Sequence, residues 1–326
     1  MQKISVIGAG SWGTTLAILL AEKGFDVKLW ARRQETADEI ESKNENLQYL
    51  PGIKIPNNLI ADHSMKNVLA GSEIIVFAVP SQFFRKTMQE LKPYFKSQIV
   101  VSVTKGLEHA TSKRMSEIIE DELGKKTRIA VLSGPNHAEE VSKKMPTATV
   151  VASNDKATGK IVADCFGTNM FKVYQLNDVA GVEICGALKN ISAIATGVCD
   201  GFGFGDNARA SIITLGLMEM NNFGRNFGAK RGTVYGLAGV GDLIATCTSS
   251  HSRNRFVGES LARGKSMEQI KKEMHGMIAE GVPTAKAVYE HSAKHNIEMP
   301  LTLQAYKVLF EKKNIKEAIG DLLRLI

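Results

Sequence analysis

The first half of the chain consists of short apolar runs separated by helix-spaced segments, and the second half carries helical spacing alone. Residues 3 to 8, KISVIG, are the first run and read as a fully buried strand. After a glycine-rich turn, TTLAILLAEKG keeps helical spacing until Gly24, and DVKLW is the next strand, ending at Ala31-Arg32-Arg33. QETADEIESK predicts a helix, and NLQYLPGIKIPNNLIADH a loop and short strand with Pro51, Gly52 and Pro56 as breakers. EIIVFAVP (73–80), QIVVSVTKG (98–106) and RIAVLSGP (128–135) read as further buried strands. Residues 81 to 95 are the helix that crosses back, and NHAEEVSKK is a helix opening at Asn136. TATVVAS and FKVYQL are later strands flanking the helix DKATGKIVADCF. Strands alternating with helices imply a parallel sheet covered on both faces, with right-handed crossovers.

From about Asp178 no strand pattern returns. Helical spacing runs through VAGVEICGALKNISAIATGV, ASIITLGLMEMNNFG, HSRNRFVGESLARG, SMEQIKKEM, PTAKAVYEHSAKH, LTLQAYKVLF and IKEAIGDLLRLI. A boundary between 178 and 188 follows, set at 185/186: an α/β domain over residues 1–185 and an all-α domain over 186–326.

The turn between the first strand and helix is Gly8-Ala9-Gly10-Ser11-Trp12-Gly13, a G-x-G-x-x-G pattern. Its strand–turn–helix–strand setting points to a Rossmann-type, doubly wound, mostly parallel sheet that binds a dinucleotide. Gly8 permits the tight turn, Gly10 lets the backbone approach a pyrophosphate, and Gly13 lets helix and strand pack closely. The helix N-terminus then faces the phosphates with free N–H groups and a positive dipole end.

The uncharged stretch 4–21 reaches the lower length limit for a membrane span, but three glycines and four hydroxyl residues interrupt it. No second long apolar run stands out, so a soluble protein without membrane insertion is expected. Cys165, Cys185, Cys199 and Cys247 are scattered, which fits a reduced, cytoplasmic setting without a zinc ribbon or disulfide framework. The net charge of +7 suits anionic ligands. The lysines are interspersed with acids and form no basic stripe with aromatics, which argues against nucleic acid. No metal is expected from the residue pattern.

Ligands of an open parallel sheet bind beyond the carboxyl ends of its strands. There, Arg32 and Arg33 stand where NAD-binding chains offer an acid to the ribose 2′-OH, and they suit a 2′-phosphate. NADP(H) is therefore preferred, with NAD(H) as the alternative. Lys105 ends its strand either aimed at a substrate or merely solubilising the strand end. Gly134-Pro135-Asn136 offers a second anion site at a helix start. Apart from Cys185, Lys189 is the one ionisable side chain between Ile184 and Val198, so burial should lower its pKa toward the range of proton transfer, more so beside a cation such as Lys105. Asp242 follows the glycine-rich GLAGVG, either as the N-cap of DLIAT or as the partner of a lysine; spacing does not separate the two. Ser252-Arg253-Asn254-Arg255 suits a phosphate monoester, and equally a solvated basic helix start.

GAGSWGTTLA, LPGIKIP, EIIVFAVPS, VSVTKGLE, SGPNHAEEV, ALKNISAIATGVCDG, GLAGVGDLIATCTSSHSRNRFVG and EGVPTA follow one another in this order. Across essentially its whole length the chain resembles the bacterial NAD(P)-dependent sn-glycerol-3-phosphate dehydrogenases. The resemblance implies reversible oxidation of sn-glycerol 3-phosphate to dihydroxyacetone phosphate, usually run as reduction to supply phospholipid synthesis, by a homodimer. It implies that Lys189 is the acid/base, with Lys105, Asn190, Asp242 and Thr246 around the reacting carbons. Ser252, Arg253 and Asn254 would hold the substrate phosphate, with Gly134 and residue 136 lining that site. Ser11, Trp12, Arg32, Arg33, Lys105, Ala138, Arg253, Ile278 and Glu280 match positions that touch the cofactor. Position 136 is usually Ser or Thr in the family and is Asn here. The rivals are another two-domain dehydrogenase, for a sugar acid or hydroxyacyl thioester, and a non-catalytic NADP(H) sensor that would lack Lys189 or Asp242.

Overall fold

The computed structural model describes residues 2–274 and 277–324. Two compact units form: Met1–Thr104 with Met115–Val179, and Lys105–Arg114 with Ala180–Ile326. In chain order the first holds β1 (Lys3–Ile7), α1 (Ser11–Glu22), β2 (Asp26–Trp30), α2 (Gln34–Lys43), β3 (Glu45–Asn46), β4 (Leu50–Lys54), β5 (Leu59–Asp62), α3 (Met65–Leu69), β6 (Ile74–Phe77), α4 (Ser81–Leu91), β7 (Ile99–Ser102), α5 (Met115–Leu123), β8 (Ile129–Ser133), α6 (Ala138–Val141), β9 (Thr147–Ala152), α7 (Lys156–Phe166) and β10 (Phe171–Leu176).

Eight strands make one sheet in the order β10-β9-β8-β7-β6-β1-β2-β5. Side chains alternate between its faces, so both faces need cover. Ile4, Val6, Ile74 and Val76 pack with Leu16 and Leu20 of α1 and with Val162 and Phe166 of α7. Ile75 and Phe77 pack on the other face with Phe84 and Met88 of α4 and Ile118 of α5. The stretch 4–21 is thus a buried strand and a buried helix, not an anchor.

Three features differ from the pattern reading. First, β9 runs antiparallel to β8, while every other neighbouring pair in this sheet is parallel. The helix expected over NHAEEVSKK is only the four residues of α6. It advances about 6 Å against about 17 Å for a five-residue strand, too little to carry the chain back along the sheet. Second, α5 occupies a segment to which the apolar pattern assigned no element. Third, the proline-broken loop holds the short pair β3–β4 besides β5.

The second unit is helical: α8 (Val179–Gly201), α9 (Asp206–Arg225), α10 (Arg231–Val234), α11 (Asp242–Thr248), α12 (Arg253–Ala262), α13 (Met267–Glu273), α14 (Gly281–His295), α15 (Pro300–Phe310) and α16 (Ile315–Leu323). The last of the expected helices was drawn to residue 326, and 325–326 lie outside the described residues. α8 runs unbroken through 185/186, and the two units divide at Val179/Ala180. It is also a second stretch long and apolar enough to cross a membrane, which the composition reading passed over. Yet 89% of its most apolar window is buried inside the protein, as in the core helix of a globular unit. Ile184, Leu188 and Ile191 of α8 pack with Met220 and Phe223 of α9, Leu243 of α11 and Val288 of α14. The buried Glu219 accepts hydrogen bonds from the first N–H groups of α15, at Leu301 and Thr302, and from the Thr302 hydroxyl at 2.6 Å. An apolar cavity of about 820 Å³ lies among Val198, Ile212, Leu301 and Leu322, and no residue proposed for catalysis lines it.

Candidate active site

In the first unit the glycine turn sits at the carboxyl end of β1. Gly8 has φ +116°, and a Cβ there would lie 2.7 Å from the Ala78 carbonyl oxygen. A Cβ on Gly13 would lie 1.9 Å from the Gly8 carbonyl oxygen, so α1 can approach β1 this closely only with glycine. At Gly10 a Cβ would meet nothing within 4 Å, so space is open in front of the turn. Gly10 is the N-cap of α1 and has no side chain to cap it, and Ser11 and Trp12 form the first turn behind it. Asn46, which nothing in the sequence singles out, braces the turn: its Nδ2 donates to Ala9 O and to Thr14 Oγ1, each at 2.9 Å. These features fit a dinucleotide pyrophosphate.

Arg32 and Arg33 are exposed just beyond β2. The Arg32 guanidinium lies 5.7 Å from the Phe83 ring centroid, and Arg33 Nη2 donates to Gln48 Oε1 at 2.7 Å. The Trp12 ring tilts against Phe171, and its buried Nε1 has no hydrogen-bond partner among the described residues. Gly134 ends β8 with φ +149° against Thr149. Asn136 is buried and its Nδ2 donates to Thr149 Oγ1 at 3.1 Å. The helix expected to open at Asn136 begins at Ala138 and lasts one turn, so Asn136 lies ahead of the helix rather than at its start. Buried Ala138 places its carbonyl 3.4 Å from Thr15 Oγ1.

In the second unit, residues far apart in sequence meet on one carboxylate. Leu237–Gly241, read from sequence as a glycine-rich loop, is a wide π-helical turn that runs directly into α11. Asp242 is therefore the first residue of α11; Gly241 is its N-cap, and the carboxylate serves two lysines rather than capping. Lys189 Nζ donates to Asp242 Oδ1, and Lys105 Nζ to Asp242 Oδ2 at 2.8 Å. Lys189 also donates to Thr246 Oγ1 at 2.6 Å, and that hydroxyl donates to the Asp242 carbonyl one turn back at 2.7 Å.

Two ammonium groups on one buried carboxylate cannot both be fully offset. Burial is the largest influence on Lys105, and with the neighbouring Lys189 charge it outweighs the attraction of Asp242, lowering the Lys105 pKa to about 7. For Asp242 burial acts upward, but the charges of Lys105 and Lys189 win and hold it below the ordinary carboxylate value. The neighbouring Cys247 thiol is pushed up to about 12 by burial and stays unreactive.

Beside this cluster runs a chain of amides. Gly281 N donates to Asn254 Oδ1 at 2.8 Å, and Asn254 Nδ2 donates to Asn190 Oδ1 at 2.9 Å. Asn254 keeps a second N–H. Ser252 is the N-cap of α12, accepting from Arg255 N at 3.3 Å with its own hydroxyl proton still to give. Arg253, half-buried, opens the helix. The Arg255 Nε, in contrast, donates to Asp200 at 2.6 Å, a carboxylate it shares with Arg209. Ile278 and Glu280 are half-buried just ahead of α14, with Glu280 as its N-cap.

A dinucleotide cradle and a buried, proton-bearing cluster are the two requirements of a nicotinamide-dependent dehydrogenase, which moves a hydride and a proton. The chain is an oxidoreductase of that class. Residues 3–159 match the family NAD-dependent glycerol-3-phosphate dehydrogenase N-terminus, and residues 178–320 match NAD-dependent glycerol-3-phosphate dehydrogenase C-terminus. A curated relative, "Glycerol-3-phosphate dehydrogenase [NAD(P)+]" of Chlorobium phaeobacteroides (strain BS1), is 49% identical over 99% of this chain and 97% of its own. One of the same name from Bacillus thuringiensis (strain Al Hakam) is 44% identical, covering 99% and 96%. The crystal structure of glycerol-3-phosphate dehydrogenase from Coxiella burnetii has TM-score 0.96 at 40% identity, covering 99% of this chain and 98% of that one. The chain belongs to the NAD(P)-dependent glycerol-3-phosphate dehydrogenase family.

Proposed function

We propose that the chain interconverts dihydroxyacetone phosphate and sn-glycerol 3-phosphate, with Lys189 as the acid/base. The observation that carries this reading is the pair of lysines held on buried Asp242, with Thr246 as the further partner of Lys189. A bound NADPH or NADH supplies the hydride to C2 of the ketone. The Lys189 ammonium donates a proton to the oxygen developing on C2, and in oxidation the neutral amine takes it back. Asp242 orients Lys189, and the Lys105 charge, held against the buried Asp242 carboxylate, stabilises the alkoxide. Asn190 lies beside the reacting carbons, its Oδ1 fixed by Asn254. Arg253, the Ser252 hydroxyl and the remaining Asn254 N–H bind the phosphate, with Gly134 and Asn136 lining that subsite. Binding of the distant phosphate fixes C2 in place, so its energy supports the chemical step.

Gly8, Gly10, Ser11, Trp12 and Gly13 cradle the cofactor phosphates, and Ala138, Lys105, Arg253, Ile278 and Glu280 complete the cofactor contacts. Arg32 and Arg33 bind the 2′-phosphate, which makes NADP(H) preferred over NAD(H). The family resemblance supports a cytoplasmic homodimer that supplies sn-glycerol 3-phosphate to phospholipid synthesis. The deciding experiment follows nicotinamide absorbance with dihydroxyacetone phosphate, run in parallel with NADPH and NADH. Oxidation that depends on the ketone phosphate is expected, faster with NADPH. Binding of NADPH without ketone-dependent oxidation would sink the substrate assignment, and an NADH rate equal to the NADPH rate would sink the role of the two arginines.

A further inference from the structure

Lys105 enters the second unit on a ten-residue excursion, Lys105–Arg114, whose flanking residues belong to the first. The excursion closes on itself. Leu107 bridges Arg114 in antiparallel fashion, Glu108 N donates to Lys113 O at 2.9 Å, and Ser112 N donates to Glu108 O at 2.8 Å. At its tip the loop meets α14, where Ser112 Oγ donates to Ala287 O at 3.4 Å and His109 Nε2 lies 3.8 Å from Glu290 Oε2, and two further attachments fix its base to the helical core. Leu107 is buried in the same cluster as Ile184, Cys185 and Leu188 of α8. Arg114 Nη1 donates to Glu183 Oε2 at 2.8 Å, and the Glu183 side chain is only 1% exposed.

Glu183 is the one acid between Val179 and Val198, on the helix that carries Lys189. A carboxylate so buried is retained at a desolvation cost that an apolar pair of equal volume would avoid. What the ion pair adds is direction: it holds Arg114, and through the Leu107–Arg114 bridge the base of the loop, at one point on α8. Lys105 lies two residues from that base.

We propose that Arg114 and Glu183 are positioning residues, which set the Lys105 ammonium on Asp242 by anchoring its loop to the helix that bears Lys189. This rests on the catalytic reading of the Lys105–Asp242–Lys189 cluster given above.

The test replaces both partners, Arg114→Met with Glu183→Leu, so that no buried charge is left unpaired, and compares this variant with Arg114→Lys. Reduction of dihydroxyacetone phosphate by NADPH is measured for kcat and KM. Lys105 is followed separately by competitive acetylation with acetic anhydride across pH, read by mass spectrometry. The double variant is expected to lose about ten- to a hundredfold in kcat, the scale of a small misplacement, while KM for NADPH holds within about twofold. The labelling midpoint of Lys105 moves upward from near neutral as the ammonium regains water. Arg114→Lys keeps the charge with a shorter, non-planar head and falls between wild type and the double variant.

Wild-type kcat and an unmoved Lys105 midpoint in a folded double variant overturn the proposal. If the double variant fails to fold, Arg114→Lys decides: lower kcat at unchanged melting temperature supports positioning, and unchanged kcat overturns it. If the wild-type chain does not turn over the ketone phosphate, the functional reading falls, and the labelling midpoint alone decides whether the pair positions Lys105.

Discussion

The two units make their binding groups in opposite ways. In the first, the groups proposed to meet a dinucleotide are backbone N–H donors at a helix start whose N-cap is a glycine and arginines exposed to water, all within residues 8 to 33. In the second, the reactive groups are side chains separated by 53 and 137 positions, brought onto one buried carboxylate. The first site recognises charge already present on a ligand and needs no unusual protonation. The second must deliver a proton, and the charge beside its donor is sensitive near neutral pH because burial lowers the pKa of Lys105 to about 7.

The comparison implies that damage to the two sites should separate chemistry from folding. Lys189→Ala leaves Lys105 and Asp242 as a balanced pair, so the helical core should survive. Loss of the general acid should cut kcat by about 10³-fold while NADPH affinity, read by fluorescence titration, stays near wild type. Near wild-type turnover would remove Lys189 from the mechanism. Gly13→Ala should do the reverse. Its Cβ would sit 1.9 Å from a backbone oxygen that no rotamer can move aside. The variant should lose about 1–3 kcal/mol of stability in urea denaturation and bind NADPH more weakly, with less effect on turnover at saturating cofactor. Unchanged stability would show that α1 does not need this close approach.

The same contrast explains what could be read without coordinates. The β1–turn–α1–β2 unit was legible because its determinants are adjacent: an apolar run, three spaced glycines and an amphipathic helix lie within thirty residues. The antiparallel β9 was not, because strand direction depended on how far α6 carries the chain, and Asn136-His137 precede that helix rather than open it. Lys105, Lys189 and Asp242 each stood out as charges in apolar or glycine-rich surroundings. Their meeting was supplied by the resemblance and not by spacing, which left Asp242 between a cap and a lysine partner. The geometry resolves that choice, since the carboxylate oxygens go to Nζ atoms and Gly241 takes the cap position. Arg255 shows the converse: from sequence it was part of a phosphate-binding turn, but Asp200 claims its Nε. Asn46 and the Arg114–Glu183 pair were missed. Being the one acid between Val179 and Val198 was the available signal for Glu183; for Asn46 there was none.

The central claim is that the cluster on Asp242 supplies charge and proton to the reacting oxygen. Its most direct test is the pH dependence of the single-turnover rate of ketone reduction, between about pH 6 and 9, in the wild type and in Lys105→Arg. Below its pKa of about 7 Lys105 carries a proton beside the Asp242 carboxylate; above it that proton is gone, and with it the charge facing the alkoxide. The account predicts a rate that falls as pH rises through neutrality, and loss of that fall in Lys105→Arg, whose guanidinium keeps its proton. A rate independent of pH in the wild type, or a fall unmoved by the substitution, would contradict it.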